Sequence, residues 1–156
     1  MKTELILVGK TNDKHFQTGI DDYCQRIGHY MPFSITVIPE LKNTKSLSFQ
    51  QQKEREGELI LAKLQSSDHL VLLDEHGKDF RSVEFARWIE QKNASVRRLV
   101  FVIGGPYGFS EAVYSRANEK ISLSKMTFSH QMVRLVFVEQ IYRACTIIKG
   151  EPYHHE

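Results

Sequence analysis

Apolar and polar positions along this chain switch between two periods. Glu4 to Gly9, ELILVG, is a short apolar run closed by glycine and predicts a buried strand. From about His15 to Tyr30, polar and apolar residues mix at helical spacing. FSITVIPE then alternates, is rich in β-branched residues and stops at Pro39, which predicts a second strand. LKNTKSLS reads as a polar loop. FQQQKEREGELILAKLQ reads as a helix with Leu59, Ile60 and Leu64 on one face and Gly57 weakening its interior. HLVLLDEHG predicts a third strand that ends near Leu73 and runs into a loop. SVEFARWIEQK is a helix with Ser82 as its expected cap and Phe85, Trp88 and Ile89 three and four apart. RRLVFVIGG is the fourth strand, SEAVYSRANEK a helix capped by Ser110, ISLS a short fifth strand, and HQMVRLVFVEQIYRACTIIKG a long last helix.

Strand and helix alternate throughout, and the later strands are apolar on both faces. This predicts one α/β domain over residues 1–156, with a mostly parallel sheet and helices on both faces. The last helix is apolar nearly all round, so it needs cover on more than one side. The sheet supplies one side; the other is either the rest of the same chain or a second copy in a symmetric dimer. Val138 and Ile141 are the candidates for a contact with that copy.

Composition narrows the class only slightly. Twenty-one Lys and Arg face nineteen Asp and Glu, a formal net charge of +2, which permits a nucleic-acid partner without demanding one. Cys24 and Cys145 lie far apart in helical patterns and suggest buried thiols in a reducing, cytoplasmic setting. The N-terminus lacks a signal-peptide pattern, and no run reaches the ~18 apolar residues of a membrane span. Histidine and cysteine spacings match no zinc motif, so no metal is expected.

The loop in LVFVIGGPYGFSEAVY is the strongest local signal. Gly104, Gly105 and Gly108 follow an apolar strand, yet no lysine follows as a P-loop requires, and G-x-G-x-x-G is absent. Pro106 also removes an amide that could cradle a phosphate. Such a loop is either a tight turn or the wall of a site for a ligand read by backbone groups, such as an adenosyl sulfonium.

Three stretches taken together, LLDEHGK, VFVIGGPYGFS and SLSKMTFSHQMVRLVFVEQIYRA, with the ending PYHHE, resemble the RlmH family of ribosomal RNA methyltransferases. That family belongs to the SPOUT superfamily of α/β-knot enzymes. The likeness runs the full length, including ILVGK, MPFSITVIPE and REGE. It implies a deep C-terminal trefoil knot and a homodimer that uses S-adenosylmethionine. It also implies N3-methylation of a pseudouridine in helix 69 of 23S rRNA on the assembled ribosome. Family cofactor positions fall on Leu73, Gly104, Leu123, Ser124, Lys125, Met126, Thr127 and Phe128. Where family members carry a further proline, this chain has Gln131, and His155 stands where they end with arginine in HPYHRE.

The acceptor N3 carries an imide proton that must leave, and general-base help typically adds ~10²- to 10⁴-fold. Tyr153, His154, His130 and Arg134 are the candidates for base, stacking or anion stabilisation, and the resemblance favours Tyr153 and His154 over a solvated terminus. Lys42, Lys45, Lys53, Arg55, Arg97 and Arg98 are candidates for RNA contact. Two other classes compete: a non-catalytic ribosome-binding factor of the same fold, and a nucleotide-dependent oxidoreductase, which the missing glycine fingerprint weakens.

Overall fold

The computed structural model describes every residue from Met1 to Glu156. Its strands are β1 (Lys2–Val8), β2 (Phe33–Ile38), β3 (His69–Asp79), β4 (Arg98–Ile103) and β5 (Glu119–Ser122). They form one sheet in the order β2-β1-β4-β3-β5, and every pairing is parallel. The helices are α1 (Lys14–Ile27), α2 (Phe49–Leu61), α3 (Ser82–Ser95), α4 (Glu111–Arg116) and α5 (Met132–Lys149). A short 3₁₀ turn, Thr44–Ser46, sits in the segment read as a loop.

The period-2 pattern divides the core cleanly. Leu5, Leu7, Val71, Phe101 and Ile103 point to the face covered by α1, α3 and α5, where they meet Ile20, Phe85, Trp88, Phe137 and Ile141. Their alternates Ile6, Val8, Leu70, Leu72, Val100 and Val102 point to the other face, against Ile60 of α2 and Val113 of α4. Strands buried on both faces are what a parallel sheet with crossover helices requires. The expected α/β architecture with helices on both faces is therefore present.

Four local readings need correction. Gly57 does more than weaken its helix: it is buried, and a Cβ there would meet Ser110 Oγ and, at 3.1 Å, Val113. Glycine is what lets α2 lie against the start of α4. Ser82 is not the cap of α3. Arg81 holds that position, Glu84 Oε1 accepts its backbone N–H at 2.8 Å, and Ser82 Oγ donates instead to Gln140 of α5 at 2.9 Å. The third strand does not end at Leu73. It runs to Asp79 through a bulge, because β5 pairs with Leu73 and then again with Lys78 at the same Ile121. Gly77 makes the bulge possible, since a Cβ there would lie 2.5–2.7 Å from the Ile121 backbone.

The fourth correction concerns α5, which lies on the sheet between α1 and α3. Val138 and Ile141 are fully buried inside the chain, so neither faces a second copy. The most exposed apolar groups of α5 are Met132 and Ile148, with Leu135, Val136 and Ile147 half-buried. Gly150, in the left-handed region at φ 71°, ends the helix and turns the tail back.

Candidate functional site

Three segments at the carboxyl edge of the sheet, the bulge within β3 and the loops that follow β4 and β5, line a cavity of about 500 Å³. Carboxyl ends of parallel strands are where α/β sheets hold ligands, and this volume suits a nucleoside-sized one. The bulge brings Leu73, Asp74, Glu75 and His76 to one wall. The glycine loop after β4 forms the second wall. The third is Ser122 to Phe128, released because β5 stops at Ser122, two residues earlier than its apolar pattern suggests. Ser122 Oγ donates to the Ser124 carbonyl at 3.0 Å, and Ser124 Oγ accepts the Met126 N–H at 2.9 Å, so hydroxyls replace the strand ladder there.

All eight residues expected at the cofactor line this cavity: Leu73, Gly104, Leu123, Ser124, Lys125, Met126, Thr127 and Phe128. His130, at the entrance to α5, lines it as well. The lining mixes Leu73, Ile103, Leu123 and Val133 with backbone-rich loops, which fits an adenosyl group read mainly by main-chain atoms. The carboxylates of Asp74 and Glu75 on the same wall suit a ligand with a cationic centre.

The glycine loop is braced from behind. A Cβ on Gly104 would come within 2.9 Å of the Phe109 ring, which is itself packed into the core. Gly104 is thus needed for the packing of that ring. Gly105 donates its N–H to Glu56 Oε1 on α2 at 3.2 Å, and a Cβ there would touch the same carboxylate. Burial pushes the Glu56 carboxyl above its ordinary value, and Glu40 adds to this while the Gly105 N–H partly offsets it. Tyr114 of α4 donates its hydroxyl to Asp74. Burial, then that hydrogen bond and the charges of Asp74 and Glu75, push its phenol up to about 12. Glu56, Asp74 and Tyr114 escaped the sequence reading, because a lone acid or tyrosine at helical spacing resembles any surface residue. The REGE stretch that holds Glu56 was the available signal.

The other three candidates lie elsewhere. Arg134 is 1% exposed; it donates to the Val8 carbonyl at 2.7 Å and Thr11 Oγ1 at 3.0 Å, and its Nε has no partner. Burial pushes its pKa down, partly countered by Glu40. It ties the loop after β1 to α5, as does Gln131, whose Oε1 accepts the Asn12 N–H at 2.8 Å. Arg134 does not line the cavity.

Tyr153 and His154 do not line it either. The tail folds back on α5 and α1. Tyr153 donates to Glu139 Oε1 at 3.0 Å, sits 3.5 Å from the Tyr23 hydroxyl and packs edge-on to Tyr142 at 4.8 Å. Burial, with Tyr23 and Glu139, pushes its hydroxyl pKa up. Arg143 lies over the Tyr153 ring, donates to Glu139 at 2.7 Å and reaches His154 Nδ1 at 3.1 Å. Since a guanidinium only donates, Nδ1 is the acceptor and the proton of a neutral His154 sits on Nε2.

The basic candidates separate in the same way. Arg98 bridges Glu4 and Asp68 at the opposite end of the sheet and is not free for RNA. Lys42, Lys45, Arg55 and Arg97 are exposed, and Lys53 is half-buried. No helix is long and apolar enough to cross a membrane, and both cysteines are free thiols.

Comparison with known proteins agrees with this geometry. A family profile described as "Predicted SPOUT methyltransferase" matches residues 1–154. The chain is 66% identical over 157 aligned positions to the "Ribosomal RNA large subunit methyltransferase H" of Bacteroides fragilis, covering all of both chains. The protein of that name from Bacteroides thetaiotaomicron matches at the same identity, and the one from Flavobacterium johnsoniae at 58%, again with both chains fully covered. The chain belongs to the ribosomal RNA large subunit methyltransferase H family. A SPOUT methyltransferase needs a place for a methyl donor beside a place for an acceptor. The cavity at the three strand ends has the lining for the first, and its open rim, with Met126 and Phe128 exposed, leaves room for the second.

Proposed function

We propose that this chain transfers a methyl group from S-adenosylmethionine to N3 of a pseudouridine in helix 69 of 23S rRNA, on the assembled ribosome. The observation that carries the proposal is the meeting of all eight expected cofactor residues around one cavity of about 500 Å³. The names of the full-length relatives support the rRNA substrate. A single SPOUT domain spanning residues 1–156, with a C-terminal trefoil knot, is part of the same reading.

S-adenosylmethionine, when bound, supplies an electrophilic methyl group whose departure discharges the sulfonium. The chain's task is then alignment and the handling of one proton. Leu73, Ile103, Leu123 and Val133 exclude water and hold the adenosyl group, while the braced loop offers its amides and carbonyls. Alignment of this kind accounts for a large share of rate enhancement in displacement reactions. In this reading His130 takes the imide proton at a ring nitrogen as the acceptor N3 forms its bond to carbon, supported by its position in the cavity lining. Asp74 and Glu75 favour the cationic donor over its neutral product, which assists release.

Tyr153 and His154 require a second copy. Tyr153 is held by α5 and α1 and His154 by α5 of its own chain, so in a homodimer they would orient the acceptor at the neighbouring cavity. The exposed Met132 and Ile148 of α5 are available for such an interface.

The test is labelled methyl transfer to ribosomes that lack the modification, comparing assembled particles with separated subunits. Transfer to the pseudouridine N3 in assembled particles is expected. A folded protein that binds ribosomes but transfers no label would instead be a non-catalytic ribosome-binding factor. Sedimentation at micromolar concentration checks the dimer, and a stable monomer would remove it.

A further inference from the structure

Phe49, the first residue of α2, stacks on Tyr107 of the glycine loop, with ring centroids 4.3 Å apart and planes 19° from parallel. Yet Phe49 is 62% exposed and Tyr107 45% exposed. Aromatic rings stabilise a fold chiefly by leaving water, and this pair has done so only in part. The core aromatics Phe85, Phe101 and Phe137 are buried by contrast. Two stacked rings left in solvent form a flat apolar plate. Tyr107 also lines the cavity, so the plate adjoins the place of methyl transfer.

The segment that carries Phe49 is basic, while the acids nearest the plate, Glu56 behind Gly105 and Asp74 and Glu75 on the facing wall, lie on the cavity side. Leu41 to Lys53 contains Lys42, Lys45 and Lys53 and not one Asp or Glu, although the whole chain has nineteen acids. Gly104 to Ser110 carries no charge at all. Lys53 follows Phe49 by four residues on α2 and so lies on the same side of that helix. On another wall of the cavity, Lys125 is exposed. A positive segment beside exposed rings matches a polyanion whose repeating units carry aromatic faces.

We infer that Phe49 and Tyr107 form a stacking platform for an unpaired nucleobase that flanks the methylated one, with Lys45 and Lys53 neutralising its phosphates. The inference rests on the rRNA methyltransferase reading and adds a contact outside the cofactor cavity. Stacking tolerates any base, because every base has a π face, so the platform holds the strand while the cavity selects the acceptor. A neutral apolar protein surface would cover the rings equally well but would leave the lysines uncompensated.

The test uses Phe49→Ala, Phe49→Leu and Phe49→Trp in the full chain, since Phe49 does not line the cavity and its exposed ring contributes little to folding. KM for unmodified ribosomes, kcat and S-adenosylmethionine affinity are measured on the same preparations. Phe49→Ala should raise KM for ribosomes by about tenfold or more and leave the cofactor affinity unchanged. Phe49→Trp should stay near wild type, and Phe49→Leu should behave like the alanine variant. Lys53→Ala should reduce the slope of log KM against log salt by about one. A leucine variant equal to wild type means an apolar protein contact and overturns the inference. A parallel loss of cofactor affinity means that Phe49 only props the loop, which also overturns it. If wild type methylates ribosomes and Phe49→Ala does so equally well, the platform alone is wrong. If wild type neither binds nor methylates ribosomes, the substrate reading and the platform fall together.

Discussion

At the cavity rim Met126 is 79% exposed and Phe128 37%, and His130 beside them is exposed as well. In the tail, Tyr153 has its hydroxyl on Glu139, its edge on Tyr142 and a guanidinium over its face, while His154 accepts from Arg143. Both regions hold the aromatic and histidine side chains that RNA chemistry uses. The rim keeps its groups unpaired and ready for a ligand. The tail spends its groups on its own chain. A group already satisfied by neighbours must lose those contacts before it can serve a substrate, and a charge-assisted hydrogen bond is worth about 1.5–3 kcal/mol. Within one chain, the histidine at the cavity is therefore His130 of the rim, while the tail is firmly held on its own helices.

The largest effect should come from His130→Ala. Single-turnover methylation should fall on the order of 10²- to 10⁴-fold with S-adenosylmethionine affinity unchanged. Should His154→Ala cause that loss while His130→Ala does not, the division between rim and tail is reversed.

Gly104→Val comes next. Its side chain would overlap the packed Phe109 ring, and overpacking of this kind costs about 1–3 kcal/mol, so cofactor affinity should drop by tenfold to a hundredfold. Calorimetry gives the affinity and near-ultraviolet dichroism checks the fold. Unchanged affinity in a folded variant would take the loop out of the site.

Deleting Tyr153 to Glu156 should leave cofactor affinity within about twofold and lower methyl transfer roughly tenfold or more, the scale of one lost stacking contact. Mixing the deleted chain with Gly104→Val chains sharpens the comparison. One mixed dimer then pairs an intact cavity with an intact tail, and activity should return. A mixture that stays inactive places the tail at its own cavity or removes the dimer.

The smallest effects belong to Glu56. Glu56→Ala should weaken cofactor binding about fivefold by releasing the Gly105 N–H, whereas Glu56→Gln keeps an acceptor and should bind normally. Because burial raises this carboxyl above its ordinary 4.5, the folded state holds the proton more tightly than the unfolded one. The stability linked to that proton is present below the ordinary value and is lost as pH rises through the folded one. Glu56→Gln should therefore raise the thermal midpoint slightly at pH 7, with the gain fading below about pH 4. A gain that grows on acidification would contradict the burial of this carboxylate.

Much of the frame was legible in the chain. Period-2 runs such as Leu5, Leu7 against Ile6, Val8 specify a strand covered on both faces, because successive side chains point to opposite sides of the sheet. Ser110 caps its helix as its position predicts, accepting the Val113 N–H at 3.3 Å. Ser82 has the residue type of a cap and is not one, since Gln140 on α5 competes for its hydroxyl, and a pattern within one segment cannot show a neighbour from another. The bulge at Asp74 to Gly77 was hidden for the same reason. It exists because the Ile121 backbone crosses Gly77, forty-four positions away in the chain.

The candidate site divides along that line. Family likeness carried by local motifs sufficed to name the eight cavity residues, because the motifs sit at the bulge of β3 and just beyond β4 and β5, along one edge of a parallel sheet. For catalysis the sequence offers Arg134, Tyr153, His154 and His130 as candidates, with Tyr153 and His154 favoured by the family likeness. The partners that hold Arg134, Tyr153 and His154 away from their own chain's cavity, Val8, Thr11, Tyr23, Glu139 and Arg143, mostly lie far off in sequence. Residue type and spacing, which are local, determined the elements and the chemistry on offer. Which groups are free to use that chemistry was decided only by tertiary structure, since burial and hydrogen-bond satisfaction depend on what folding brings alongside.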